Sequence, residues 1–230
     1  MSLTEKTVTG CCKRIAFLGG AFDPPHLGHL AIARSALLAG CGDEVLWVPA
    51  FSPPHKQGCD RAPFADRMAM VQLLIAGEKA MTVSDIENRM EKSPSYTIDV
   101  LQTLETLYGE APALLIGSDS LMNFHTWKAA EKLVDNCEIF TYLRKSALPD
   151  EDFLRRQWGA ERCAKLLSGV IPGKFFEISS TEVRFSMEKN HFADNIKERT
   201  LLAPAVAEYI SRRNLYRQPR KSPRENQPIL

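Results

Sequence analysis

Two histidines three residues apart, His26 and His29, close a segment dense in residues suited to phosphate: Gly19-Gly20-Ala21-Phe22-Asp23-Pro24-Pro25-His26-Leu27-Gly28-His29. At the start of a helix that spacing puts both imidazoles on one face, where each can donate an N–H to a phosphate oxygen. Gly19 and Gly20 permit backbone angles and a close approach that a side chain would block. Gly28 lets a ligand lie near the first helical turn. That turn offers N–H groups without intrahelical partners and the positive end of the helix dipole, a natural anion site. The string is neither the G-x-G-x-x-G dinucleotide fingerprint nor a Walker A loop. The competing reading is a plain strand-to-helix turn with two incidental histidines, and the density of phosphate-suited residues speaks against it.

Further along lie smaller groups of the same character. Lys56, in Pro53-Pro54-His55-Lys56, is a mobile point charge able to meet a phosphate, or a solvated turn lysine. In Gly117-Ser118-Asp119, the glycine allows close approach of a ribose, while Asp119 can accept from ribose hydroxyls or cap the following helix. Trp127 has a face that suits a flat heteroaromatic ring, or it fills a core. Ser179-Ser180-Thr181 with Arg184 can cap a helix and bring N–H groups, hydroxyls and a guanidinium to a triphosphate. Asp66-Arg67 reads mainly as packing and salt-bridge structure. No Ser-His-Asp or Cys-His grouping calls for a covalent intermediate.

These groups need elements to position them, and the sequence supplies an alternation. Strands are expected at Arg14–Leu18, Glu44–Val48, Met81–Ile86, Ala113–Ile116, Glu138–Leu143 and Lys174–Ile178. Helices are expected at Leu27–Leu38, Phe64–Lys79, Tyr96–Tyr108, Leu121–Val134, Asp152–Leu167 and Ala205–Arg213, with a short one after Ser179. Strand–helix alternation implies an α/β fold with a mostly parallel sheet and helices on both faces, a three-layer sandwich. Ligands in such sheets sit beyond the carboxyl ends of the strands, where strand order reverses, and the groups above follow expected strands. The chain is expected to divide into a flexible N-terminus over 1–13, one domain over 14–216 and a disordered tail over 217–230.

Composition closes off other classes. A net charge of +1 gives no long-range field for nucleic acid or an acidic membrane. The six cysteines form no C-x-x-C pair, which argues against a zinc site and a disulfide framework and points to a reducing, cytoplasmic setting. No stretch is long and apolar enough to span a bilayer.

The first segment resembles the GGxFDPxHxGH signature of the HxGH nucleotidyltransferase superfamily, whose HxGH element binds ATP phosphates, and whose fold is Rossmann-like. Further segments narrow the resemblance to bacterial nicotinate-nucleotide adenylyltransferases: Pro53-Pro54-His55-Lys56 is similar to their PPHK loop, Pro94-Ser95-Tyr96-Thr97-Ile98-Asp99 to PSYTxDT (with Val100 for the usual Thr), Ile116-Gly117-Ser118-Asp119 to IGxD, Phe124–Trp127 to FxxW and Ile178–Arg184 to ISSTxxR. Lys145-Ser146-Ala147 departs from the usual RPG after Arg144.

The resemblance implies transfer of AMP from ATP to nicotinic acid mononucleotide, with Mg²⁺ held mainly by the ATP phosphates and near Asp23. It places ATP against Gly19, Gly20, Phe22, His26, Gly28, His29, Gly117, Asp119, Arg144, Ser179, Ser180, Thr181 and Arg184. It places the mononucleotide against Lys56, Tyr96, Thr97, Trp127 and Lys128, and gives catalysis to His26, His29, Lys56 and Arg184. A homo-oligomer is compatible with the sequence, which does not fix the assembly. Adenylylation of nicotinamide mononucleotide or phosphopantetheine, and a non-catalytic nucleotide sensor of the same fold, are the alternatives.

Overall fold

A computed structural model describes residues 13–51, 61–90, 92, 94–144, 147–171, 178–188 and 201–216. Its strands are β1 (Ile15–Gly20), β2 (Glu44–Pro49), β3 (Met81–Val83), β4 (Ala113–Gly117), β5 (Ile139–Tyr142) and β6 (Val170–Ile171). They form one sheet in the order β3-β2-β1-β4-β5-β6, and each neighbouring pair is parallel. The helices are α1 (Leu27–Leu38), α2 (Phe64–Leu74), α3 (Ile86–Arg89), α4 (Thr97–Tyr108), α5 (Ser118–Met122), α6 (Ala130–Asn136), α7 (Glu151–Ser168), α8 (Ser180–Glu188) and α9 (Pro204–Arg213).

The sheet is apolar on both faces, as a parallel sheet covered by helices must be. Side chains of successive strand residues point to opposite faces. Ala16, Leu18, Val45 and Trp47 accordingly pack with Leu30 and Ile32 of α1, Met70 and Val71 of α2, Val183 of α8, and Val206 and Ile210 of α9. Phe17, Leu46, Val48, Leu114 and Ile116 pack on the other face with Leu101 and Leu104 of α4, Leu121 of α5, Leu133 of α6 and Leu154 and Leu166 of α7. This is the expected three-layer Rossmann-like sandwich. The chain moves outward from β1 through β2 to β3 and then returns to lay β4 on the other side of β1, so strand order reverses between β1 and β4. The crevice for a ligand lies past Gly20 and Gly117, the last residues of those two strands.

Several expected elements change. A strand that was not expected forms at Val170–Ile171; of the strand expected at Lys174–Ile178, residues 174–177 lie outside the described residues and Ile178 is not in a strand. The third strand stops at Val83, and Ile86–Arg89 forms a turn of helix instead. The second helix ends at Leu74, before Gly77 with its φ of 95°. The span read as one helix from Leu121 to Val134 is three pieces: α5, a 3₁₀ turn at Phe124–Thr126, and α6. Trp127 is extended and Ala129 left-handed, with φ of 54°, so no continuous helix can pass between them.

Candidate active site

His26 is the N-cap of α1 in an extended conformation, and it is 1 % exposed. Its Nδ1 accepts the backbone N–H of His29 at 3.3 Å, and His29 Nδ1 accepts the backbone N–H of His26 at 3.2 Å. This is a capping box built from two imidazoles, with the rings stacked at 3.6 Å between centroids. An imidazole that accepts at Nδ1 and is neutral carries its proton on Nε2. Both rings therefore present Nε2–H as a donor, and His26 Nε2 is buried without a hydrogen-bond partner among the described residues. Burial pushes His26 down from 6.5 to about 3, helped by the nearby Arg144 cation. His29 is held well below its ordinary value, first by burial, then by His26 and Arg144. The pair is neutral over the physiological range.

The turn's backbone is more occupied than the sequence suggests. Leu27 N–H donates to the carbonyl of Leu201 at 2.9 Å, and His29 N–H is taken by His26. The imidazole Nε2–H groups add to the backbone donor capacity that remains at this helix start. Gly28 is required by the same packing: a Cβ there would lie 3.0 Å from His26 Nδ1 and 3.2 Å from Ile178 Cβ. The space it opens is filled by these neighbours. Phe22, with φ of 47°, is buried and sets its ring edge-on to His29 at 5.1 Å, behind the pair.

The Ser179–Arg184 segment docks onto this loop. Ser179 and Glu182 form a capping box at the start of α8. Ser180 Oγ donates to the carbonyl of Pro24 at 2.9 Å, and Arg184 donates to the carbonyl of Asp23 at 2.5 Å and to Thr181 Oγ1 at 3.3 Å. Thus Arg184 and His26 lie at opposite ends of the same Asp23–His26 turn. From the other side comes Arg144, whose backbone N–H donates to the buried Ser118 hydroxyl at 2.8 Å, while its Nε lies 3.5 Å from Asp119 Oδ1. Asp119 does not cap α5, because Gly117 holds that position; it stands in the first turn, half exposed. Gly19, Gly20 and Gly117 close β1 and β4 at the crevice.

A second group gathers at the N-terminus of α4. Tyr96 is the N-cap and its side chain makes no capping bond, so among the described residues the first-turn N–H groups around Thr97 have no side-chain cap. Lys128 Nζ lies 4.4 Å over the Tyr96 ring and 3.1 Å from Asp99 Oδ2. Trp127 is partly buried, packed edge-on against buried Phe124 at 4.9 Å between ring centroids. Lys56 lies outside the described residues, as does the rest of the 52–60 segment.

Buried charges hold the loops of the site, and two of them, Arg67 and Glu87, were not among the expected site residues. Arg67, 3 % exposed, donates to three carbonyls: Ala21 after β1 at 2.7 Å, Ala50 after β2 at 2.8 Å, and Ala62 before α2 at 3.2 Å. Glu87 accepts from Phe51 N–H at 2.9 Å and from the buried Ser95 hydroxyl, tying the end of β2 to the segment before α4. Burial raises Glu87 above the ordinary carboxylate range. Asp23, 2 % exposed, accepts at Oδ1 from Tyr216 at 2.6 Å and from Ala62 N–H at 3.2 Å, and its Oδ2 lies 3.8 Å from Arg184. Such pairings join residues far apart in sequence. The one local signal is a charged pair, Asp66-Arg67, at the start of a helix that is largely apolar.

Known proteins resemble this chain along most of its length. The cytidylyltransferase-like family model matches residues 17–185. A probable nicotinate-nucleotide adenylyltransferase of Gloeobacter violaceus is 37% identical over 211 residues, covering 90% of this chain and 98% of the relative. One of Desulfotalea psychrophila is 36% identical over 216 residues, covering 89% and 100%. Among solved structures, the Plasmodium falciparum nicotinic acid mononucleotide adenylyltransferase complexed with NaAD aligns with a TM-score of 0.70 at 23% identity, covering 89% of this chain and 97% of that one. At that identity the likeness speaks for the fold.

Proposed function

The chain belongs to the cytidylyltransferase-like family and, within it, to the nicotinate-nucleotide adenylyltransferases, and on that premise we propose how its residues carry AMP from ATP to nicotinic acid mononucleotide. An oxygen of the mononucleotide phosphate attacks the α-phosphorus of ATP, a new P–O bond forms, the bond to the bridging α–β oxygen breaks, and pyrophosphate leaves. The nucleophile is already anionic, so no general base is needed. Catalysis is positioning plus stabilisation of charge on the phosphoryl oxygens.

His26 and His29 donate Nε2–H to those oxygens from a ring pair fixed by its own capping box. Their neutrality suits the task, since a donor held in place needs no proton exchange during the reaction. Arg184 and Arg144 bring positive charge to the leaving pyrophosphate from either side. Ser180 and Thr181 shape the α8 start against the Asp23–Pro24 turn. Asp119, with no capping duty, accepts from the ribose hydroxyls. Tyr96, Thr97, Trp127 and Lys128 receive the nicotinate end, where α4 N–H groups and the Lys128 ammonium offset a carboxylate. Lys56 is assigned to the phosphates on the motif alone.

The donor chemistry fits a magnesium ion carried in on the phosphates. Asp23, the carboxylate of this loop, has its oxygens engaged by Tyr216, Ala62 and Arg184, and the groups facing the crevice are cations and N–H donors. Bound there, the ion would neutralise phosphate charge. This ligand set and the cytoplasmic setting belong to the proposal; among the described residues no helix is long and apolar enough to cross a membrane.

The observation that carries the assignment is the reciprocal histidine cap at the β1–α1 junction, with His26 Nε2 enclosed and without a partner among the described residues. Replacing His29 by Ala should lower kcat by about 10²–10³, the scale of losing one preorganised donor to a developing charge. Normal turnover in a folded His29→Ala protein would remove His29 from the mechanism.

A further inference from the structure

The chain turns back on itself after α9. Asn214 and Tyr216 both adopt left-handed backbone angles, with φ of 53° and 59°. For a tyrosine this conformation is costly, and it persists only where the surroundings impose it. It delivers the Tyr216 phenol to Asp23 Oδ1 at 2.6 Å, inside the turn that leads to His26. The same carboxylate oxygen accepts Ala62 N–H, and the backbone carbonyl of Asp23 accepts Arg184. The carboxylate also lies in the field of the Arg67 cation, and the phenol in those of Arg67 and Arg184. Tyr216 thus joins the last described segment to the loop whose other contacts are Arg184, Ser180 and the histidine cap.

We infer that Tyr216 is a positioning residue for the ATP half of the site, acting through Asp23 to hold the turn that presents His26 and His29. The inference rests on the reading of this face as an ATP site. Its short hydrogen bond fixes the Asp23 carboxylate, and a fixed Asp23 keeps its carbonyl facing Arg184. Without the hydroxyl, Oδ1 keeps the Ala62 N–H, and the turn can rotate away from Arg184. Helix α9 is docked independently, because Tyr209 and Arg213 both donate to Asp66 at 2.8 and 3.1 Å. The Tyr216 ring packs on the apolar layer under α1, α2 and α9. Removing the hydroxyl alone therefore leaves helix and ring in place.

The test compares Tyr216→Phe with Tyr209→Phe in the full chain, measuring thermal unfolding, ATP affinity by calorimetry, and kinetics with ATP and nicotinic acid mononucleotide varied in turn. Loss of a hydrogen bond to a buried carboxylate is expected to weaken ATP binding and kcat/KM for ATP about tenfold in Tyr216→Phe. KM for the mononucleotide, received at the start of α4, stays at the wild-type value. Tyr209→Phe lowers the unfolding temperature and leaves ATP affinity unchanged. ATP affinity within about twofold of wild type in Tyr216→Phe, or equal losses for ATP and the mononucleotide, would overturn the inference. A wild-type protein that binds ATP but turns over no mononucleotide would remove the acceptor assignment, and the Tyr216 result would still be read in ATP affinity.

Discussion

Replacing His26 by Asn tests whether the histidine pair is neutral in the folded protein. Asparagine is among the best N-caps and can accept the His29 N–H, but it does not titrate. In the native structure His26 is held at about 3, against 6.5 for the free side chain, by burial and by Arg144. Between those values the unfolded chain binds a proton that the native protein refuses. The folded pKa is the depressed one, so the stabilisation is complete above pH 6.5 and drains away as pH falls toward 3. At full difference the slope is about 1.4 kcal/mol per pH unit, which integrates to about 2 kcal/mol between pH 7 and pH 5 for this residue. Urea unfolding followed by tryptophan fluorescence at the two pH values gives the loss directly. The wild type should lose about 2 kcal/mol more than His26→Asn over that interval. Groups away from His26, such as Glu87, are common to both proteins and cancel, and His29 stays depressed in both because burial is the first cause of its shift and Arg144 remains beside it. An equal loss in the two proteins would refute the reasoning: His26 would then titrate as it does in the unfolded chain and would face phosphate as a cation near pH 6.

Two further substitutions probe the loops and the acceptor pocket. Arg67→Met fills similar space and leaves the carbonyls of Ala21, Ala50 and Ala62 without their guanidinium donor, so urea unfolding should show a loss of about 3 kcal/mol; a change below about 0.5 kcal/mol would mean that the three bonds are replaced by water at no cost. Trp127→Ala removes a ring proposed to stack on the nicotinate, and KM for the mononucleotide should rise about tenfold with KM for ATP unchanged, whereas equal changes in both would assign Trp127 to packing against Phe124.

The parts of this fold that could be read in advance are those where local chemistry and global position agree. The β1–α1 junction shows it best: two glycines followed by an apolar run place Leu27–Leu38 on the boundaries observed. Helix α4 was equally plain, ending at Gly109 with φ of 81°. Errors arose where buried residues mimic a period. Leu121 and Phe124 are buried three apart and Ala130, Leu133 and Val134 at i, i+3 and i+4, each group helix-like by itself, yet a 3₁₀ turn and a left-handed Ala129 carry them inward without a continuous helix. Strand β6 is not legible in the sequence because only Val170 and Ile171 pair with β5, too short a run to leave a pattern. At Gly169, just before it, a Cβ would collide with the backbone of Ile139.

In the candidate site, the residues within motifs were legible and those that hold the motifs in place were not. Tyr216 and Asp23 meet only after the whole chain has folded, as do Arg67 and Ala21 or Glu87 and Phe51. Each pair joins two elements, and neither partner bears a mark that predicts the other. The occupied N–H groups of the α1 turn belong to the same class, since the carbonyl that takes Leu27 N–H comes from Leu201.

The central claim is adenylyl transfer to a mononucleotide, and pyrophosphate release tests it most directly. The purified protein is given ATP and Mg²⁺, with nicotinic acid mononucleotide or nicotinamide mononucleotide in parallel. Rapid release with the nicotinic acid form and slow release with the amide is the result predicted, since α4 N–H groups and Lys128 favour a carboxylate at that end of the site. Equal or reversed preference would contradict the substrate assignment, and no release with either would contradict the claim itself.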